Sequence, residues 1–196
     1  HPLLENINIS LHKKKNIYLN KKKNNISIFP GSRRKEVEYH LNTILLTIES
    51  IAEIKKFNII IVAVTDHIEL INSIVTKYSK RISIKVIPSI HKLSVFKYSL
   101  FSIAVSGTIT LELALHKVPF FTVYKLNFIS FFILKRLVSS KFITLVNIIY
   151  NKSIVNELVQ KDFNKENIKQ NILLLLNNKS IYNFQIKHFN RLPKLL

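Results

Sequence analysis

The feature that most restricts how this chain can fold is a repeated switch between two hydrophobic periodicities. Asn25 to Phe29 is a short β-rich run, and from Glu36 to Lys55 apolar residues recur at helical spacing through Val37, Leu41, Ile44, Leu45, Ile48, Ile51 and Ala52. Phe57 to Val64 is a continuous apolar run, the pattern of a strand covered on both faces. A helical pattern opened by Asp66 follows through Ile68, Leu70, Ile71, Ile74 and Val75. The unit then repeats. Ile82 to Ile87 reads as a strand, Lys92 to Ser99 as a short helix, Phe101 to Val105 as a strand, Thr108 to His116 as a helix, and Phe120 to Tyr124 as the closing strand. This alternation predicts an α/β fold, a Rossmann-like parallel sheet flanked by helices on both faces. Beyond Tyr124 the pattern turns mostly helical and ends in helices over Lys165 to Asn177 and Ser180 to Asn190. The expected organisation is a linker or partial N-terminal segment at 1–24, a Rossmann-like domain at 25–164 and C-terminal helices at 165–196.

With 196 residues, 47% of them hydrophobic, the chain can bury a sizeable core. It has no cysteine, which excludes disulfides and thiolate metal sites and suits a reducing cytoplasm. It also lacks methionine and has His1 at its first position, so it is expected to be an internal-to-C-terminal piece. The longest apolar stretch, Phe128 to Leu134 with Val138 beyond Lys135-Arg136, falls short of the ~18 to 20 residues of a membrane span. A soluble or peripheral protein is expected. The segment Phe128 to Val138 fits either a buried helix bridging domains or an amphipathic face meeting a membrane.

The net charge of +19 has three readings. Cations that neutralise phosphates bind nucleic acid, and cations near an anionic membrane are attracted to it. Alternatively, the abundance of Lys, Asn, Ile and Phe reflects A/T-rich coding. The lysines are spread along the chain rather than set in a basic stripe with interleaved aromatics, which argues against a nucleic-acid partner.

Parallel sheets bind ligands beyond the carboxyl ends of their strands, so the loops leaving each strand carry the chemistry. Phe29-Pro30-Gly31-Ser32-Arg33 lies at one strand-to-helix junction. Gly31 permits a tight turn, Ser32 can cap the helix, and Arg33 offers a bidentate cation to a diphosphate beside the free amides of a helix start. An ordinary capped helix with a solvated arginine has the same sequence. Ser106-Gly107-Thr108 lies at another such junction, with Thr110 and Glu112 one turn on. Gly31 and Gly107 are the only glycines, and both fall at these turns, either for turn geometry or because the backbone must approach a ligand closely. The Gly-x-Ser-x-Gly elbow of hydrolases is absent. The seven histidines form no helical metal pair and no Asp-x-Asp signature occurs, so neither a metal nor a cofactor is implied.

Taken together, these residues resemble the lipid-A-disaccharide synthases, glycosyltransferases of the GT-B fold. The resemblance runs from His1-Pro2-Leu3 through Pro30-Gly31-Ser32-Arg33 with Glu36 and Val37. It continues in Ala104-Val105-Ser106-Gly107-Thr108-Ile109-Thr110-Leu111-Glu112, then Pro119, Tyr124 and Lys125. Further on it includes Lys135-Arg136-Leu137-Val138, Leu145 to Ile149 and Glu157-Leu158-Val159-Gln160. It covers the C-terminal half of such an enzyme, the half that holds the nucleotide sugar. It implies transfer of 2,3-diacylglucosamine from UDP-2,3-diacylglucosamine to 2,3-diacylglucosamine 1-phosphate, with inversion. The catalytic base would lie in a missing N-terminal domain, since Asp66 and Asp162, the only aspartates, sit in no base-like motif.

The resemblance assigns the UDP site to Gly31, Ser32, Arg33, Ser106, Gly107, Thr108, Glu112, Asn147 and Gln160, with Glu112 on the ribose hydroxyls. Glu112 reads equally as a first-turn acid favouring its helix dipole. Val146 stands where the family carries proline before Asn147, which predicts a looser loop. The implied setting is the cytoplasmic surface of the inner membrane of a Gram-negative bacterium. The C-terminal helices would pack back across the two domains or onto a second subunit of a homodimer. A remnant that folds without catalysing is the alternative.

Overall fold

The computed structural model describes residues 24–78, 81–125 and 141–196. Within them six strands form one sheet: β1 (Asn25–Phe29), β2 (Asn58–Ala63), β3 (Ile84–Pro88), β4 (Ser99–Val105), β5 (Phe120–Tyr124) and β6 (Glu157–Val159). Every pairing is parallel, in the order β3-β2-β1-β4-β5-β6. The helices are α1 (Arg34–Glu49), α2 (Ile68–Val75), α3 (Lys92–Tyr98), α4 (Thr108–Leu115), α5 (Leu145–Tyr150), α6 (Lys165–Asn177) and α7 (Lys179–Arg191).

Alternating strand residues divide the core into two layers. Ile26, Ile28, Ile59, Ile61, Ile103 and Val123 pack under α1, α2 and α6, which contribute Leu41, Ile44, Ile71 and Ile172. Phe29, Ile60, Val62, Ala104 and Phe120 face α3, α4, α5 and α7 through Phe96, Leu111, Val146 and Phe189. Continuous apolar runs therefore become central strands, because both faces are covered. β3 is different. At the sheet edge it leaves Lys85 exposed and ends at Pro88, a residue tolerated where no further ladder is needed. Ser27, Ser99 and Ser102, all buried, join their hydroxyls across β1 and β4.

Several expectations need correction. The helix predicted to Lys55 stops at Glu49. Ile51 is extended (φ −98°), and a 3-10 turn over Ala52–Lys56 carries Ile54 into the core with it. Ser32 does not cap α1. The N-cap is Arg33, whose backbone N–H meets Glu36 Oε2 only at a long 3.4 Å. Asp66 does not cap α2 either; it lies in a 3-10 turn over Thr65–His67, and α2 begins at Ile68. Ser99 belongs to β4 rather than to the preceding helix. β6, after the strand expected to close the series, is a sixth strand of three residues. His1-Pro2-Leu3, most of the 1–24 segment and Phe128 to Val138 with Lys135-Arg136 lie outside the described residues.

The C-terminal helices join this same core. Ile168, Ile172 and Leu175 of α6 pack into one layer, and Phe189 of α7 with Leu192 packs into the other. Gln185, buried on α7, accepts the Phe120 N–H at 2.9 Å and donates to the Phe120 carbonyl at 3.0 Å. One side-chain amide thus completes the first residue of β5, where no β6 residue lies alongside. No helix among the described residues is long and apolar enough to cross a membrane.

Candidate functional site

From β1 the connections run to β2 and β3, and from β4 they run the other way to β5 and β6, so the strand order reverses between β1 and β4. Such a switch point opens a crevice at the carboxyl ends of its two strands, because the connecting helices leave toward opposite faces. A cleft of about 440 Å³ occupies this position, a size typical of small-ligand sites. Gly31, Ser32, Arg33, Ser106, Gly107, Thr108 and Glu112, seven residues singled out from sequence, line it together. Asp66 and Asp162 do not.

One wall is the β1–α1 junction. Gly31 has φ +107°, a conformation that favours glycine, and a Cβ there would stand 2.7 Å from Glu36 Oε2 and 3.0 Å from Glu36 Cβ, so a side chain would also displace Glu36. Glu36 occupies that space and holds the Arg33 guanidinium, Nη1 to Oε1 at 2.8 Å. Hydrogen bonding to Glu36 is the main cause that raises the Arg33 pKa above its ordinary value, so the side chain stays cationic. The Ser32 carbonyl is tied to His67 Nε2 at 3.0 Å, which fixes this loop to the one after β2.

The opposite wall is the β4–α4 junction. Nothing lies within 4 Å of the place a Gly107 Cβ would take, so the backbone there is open to the cleft. Ser106 Oγ donates to the Ile143 carbonyl at 3.3 Å, and Thr110 Oγ1 donates to the Gly107 carbonyl at 2.8 Å, which closes the first turn of α4. Glu112 pairs with Lys92 Nζ at 2.5 Å, both side chains being partly buried. Arg33 and Lys92 are therefore matched by Glu36 and Glu112, and the cleft is formally neutral although the chain carries +19.

Asn147 and Gln160 are not brought to the cleft. Asn147 is fully buried, and its amide is spent on the protein. Nδ2 donates to the Val155 carbonyl (2.8 Å) and Glu157 Oε1 (2.9 Å), and Oδ1 accepts from Ile154 N–H (2.8 Å) and Val155 N–H (3.0 Å). Four hydrogen bonds exhaust a primary amide. Glu157 also accepts from Ile143 N–H, Thr144 N–H and Thr144 Oγ1, and Val146 is buried, so the loop before α5 is pinned without proline. Gln160 begins the turn after β6 at φ +53°, an uncommon conformation for a side-chain-bearing residue.

Lys92 and His40 were not read from sequence. Lys92 also stands at a strand-to-helix junction, but one without glycine to draw notice. His40, buried on α1, ties that helix to the residue after β5: Nε2 accepts the Lys125 N–H at 3.0 Å, which leaves Nδ1–H to donate to the Glu36 carbonyl, one turn earlier in α1, at 2.7 Å. Its ring stacks on Tyr124. The required form is neutral, and burial lowers its pKa below the ordinary 6.5, with the Glu36 carbonyl and charge opposing. The folded protein therefore resists a proton that the unfolded chain accepts. Above about pH 6.5 the group costs nothing, and below it stability is lost as pH falls toward the lowered folded-state value. His116, also lowered chiefly by burial, acts in the same direction. The melting temperature should fall from about pH 7 to about pH 5, with a shallower slope in His40→Gln; equal slopes would show that His40 is not a coupled group.

Among the described residues, no three or more His, Asp or Glu side chains converge as a metal site. The sequence matches the family model for Lipid-A-disaccharide synthetase over residues 1–194. It is 31% identical over 204 residues to the lipid-A-disaccharide synthase of Wigglesworthia glossinidia brevipalpis, covering 99% of this chain and 51% of that one. To the lipid-A-disaccharide synthase of Persephonella marina it is 32% identical over 206 residues, covering 100% and 53%. The chain thus spans about half the length of these curated relatives. In fold it is similar to the UDP-GlcNAc 2-epimerase from Neisseria meningitidis bound to UDP-GlcNAc, with a TM-score of 0.59 at 13% identity, covering 90% of this chain and 44% of that one.

Proposed function

The chain belongs to the lipid-A-disaccharide synthase family, and from that premise we propose that it holds the nucleotide-sugar donor of a lipid A glycosyltransferase. The observation that carries this reading is the convergence of Arg33 and the Ser106–Thr108 backbone on one cleft at the strand-order reversal. A diphosphate bound there lies between the amino-terminal ends of α1 and α4, where unpaired amides and the positive ends of two helix dipoles favour an anion. The open space over Gly107 lets phosphate oxygens approach the backbone closely. Arg33 adds a fixed cation, which Glu36 holds in place.

In transfer from UDP-2,3-diacylglucosamine to 2,3-diacylglucosamine 1-phosphate, negative charge grows on the departing UDP as its bond to the anomeric carbon breaks. Arg33 and the loop amides stabilise that charge, while Glu112 accepts hydrogen bonds from ribose hydroxyls. Activation of the acceptor hydroxyl is assigned to a residue outside this chain, in an N-terminal domain that completes the site. Asn147 contributes at one remove, by holding the loop whose Ile143 carbonyl meets Ser106. The acylated substrates place the complete enzyme at the inner-membrane surface.

The test is the melting temperature of this chain with UDP, AMP or duplex DNA. A ligand that binds only the folded state stabilises it by about 2.7 kcal/mol at roughly a hundredfold excess over Kd. A rise selective for UDP and lost in Arg33→Ala is expected. Stabilisation by DNA with none by UDP would overturn the donor-site reading.

A further inference from the structure

The ion pair between Lys92 and Glu112 lies inside the cleft, and the UDP-binding reading above leaves its cation without a task. Lys92 opens α3, on the sheet face that also carries α4, whereas Arg33 opens the α1 side on the opposite face. The two cations therefore flank the switch point from opposite walls, each held by a carboxylate of the cleft. The two carboxylates do different things. Glu36 is three residues from Arg33, packs against Gly31 and also reaches the Arg33 N–H, so that pair belongs to the local build of α1. Glu112 and Lys92 come from separate helices, α4 and α3.

Resting on the proposed UDP site, we propose that Lys92 is a second cation for the diphosphate, held on Glu112 before binding and transferred to a phosphate oxygen when the nucleotide binds. A partly exposed ion pair contributes little to stability, so exchanging its anion costs little. A flexible lysine stem permits the movement, whereas a forked guanidinium suits the fixed position that Arg33 holds. With the exchange two cations, Arg33 and Lys92, meet the phosphates; without it a single arginine does. When Lys92 moves to the phosphate, the Glu112 oxygen it occupied becomes able to accept hydrogen bonds from the ligand's hydroxyls. Phosphate and hydroxyl recognition are thereby coupled, which favours a nucleoside diphosphate over either uridine or inorganic pyrophosphate alone.

Calorimetric titration of the chain with UDP, and with uridine as the phosphate-free probe, tests this. In Lys92→Met the UDP affinity should fall about 10- to 100-fold, the scale of a lost charge-assisted hydrogen bond, while uridine affinity changes less than about threefold. Lys97→Met, the same charge change on the exposed side of α3, should leave both unaltered. Combining Lys92→Met with Glu112→Gln, and comparing the double variant with Glu112→Gln alone, separates contact from mere neutralisation: if Lys92 touches phosphate the double variant binds UDP more weakly than Glu112→Gln, and if it only screens Glu112 the two bind UDP equally, overturning the inference. A wild-type chain that binds UDP no better than uridine would remove the donor-site reading and this inference together. A wild type that prefers UDP, beside a Lys92→Met variant with the same preference, would remove this inference alone.

Discussion

A chain ending at Asn177 should fail to fold. The deletion removes Phe189 and Leu192, both fully buried, and leaves Phe120 without the ring that stacks on it at 5.7 Å. Truncating two such side chains costs about 5 to 10 kcal/mol. Losing Gln185 leaves the Phe120 N–H and carbonyl unpaired in the core, about 1 to 3 kcal/mol each. The sum approaches or exceeds the whole stability of a typical domain, about 5 to 15 kcal/mol, so loss of the cooperative melting transition is the expected result. A shortened chain that keeps a sharp transition would mean that α7 is an appendage. The full chain settles whether α7 docks within one molecule. Its melting temperature should be independent of protein concentration, whereas a helix supplied by a second subunit makes it rise with concentration.

Asn147→Leu has the next largest expected effect. Leucine matches the volume but none of the four hydrogen bonds, so Ile154 N–H and Val155 N–H lose their side-chain partner, the Val155 carbonyl keeps only a long 3.5 Å contact with Ser153 Oγ, and Glu157 loses one donor. At about 1 to 3 kcal/mol for each buried unsatisfied group, the loss is at least about 4 kcal/mol. For a chain of this size that lowers the melting temperature by roughly 8 to 16 °C. UDP binding to the remaining folded protein should weaken only as far as the Ile143–Ser106 contact loosens. An unchanged melting temperature together with lost UDP affinity would instead make Asn147 a ligand residue.

The contrast between Asn147 and Gly31 shows what could be read from a linear pattern. Gly31 and Arg33 sit at the end of an apolar run and the start of a helical one, and Glu36 follows Arg33 at the i,i+3 spacing of helix neighbours. Their chemistry is local, so it was legible. Asn147 was placed in the UDP site only by the family resemblance, and nothing in its neighbouring sequence shows where its amide is used. Its partners at Ile154, Val155 and Glu157 are set by how the chain returns to β6, a three-residue strand too short and too polar at Glu157 to show a period. The 3-10 turn after α1 was hidden for a related reason, since Ile51 and Ala52 continue the helical spacing while Ile54 is drawn into the core by packing.

The sequence by itself determined most of the element types, the parallel sheet covered on both faces and the two strand-to-helix loops, because continuous apolar runs and a 3.6-residue period express local backbone geometry. Only the tertiary structure decided that β1 lies beside β4, which brings Gly31 and Gly107 to one cleft, that Lys92 answers Glu112, and that α7 completes β5. Strand order and side-chain pairing depend on contacts between residues far apart in the chain, and those are chosen by the packing of the whole core.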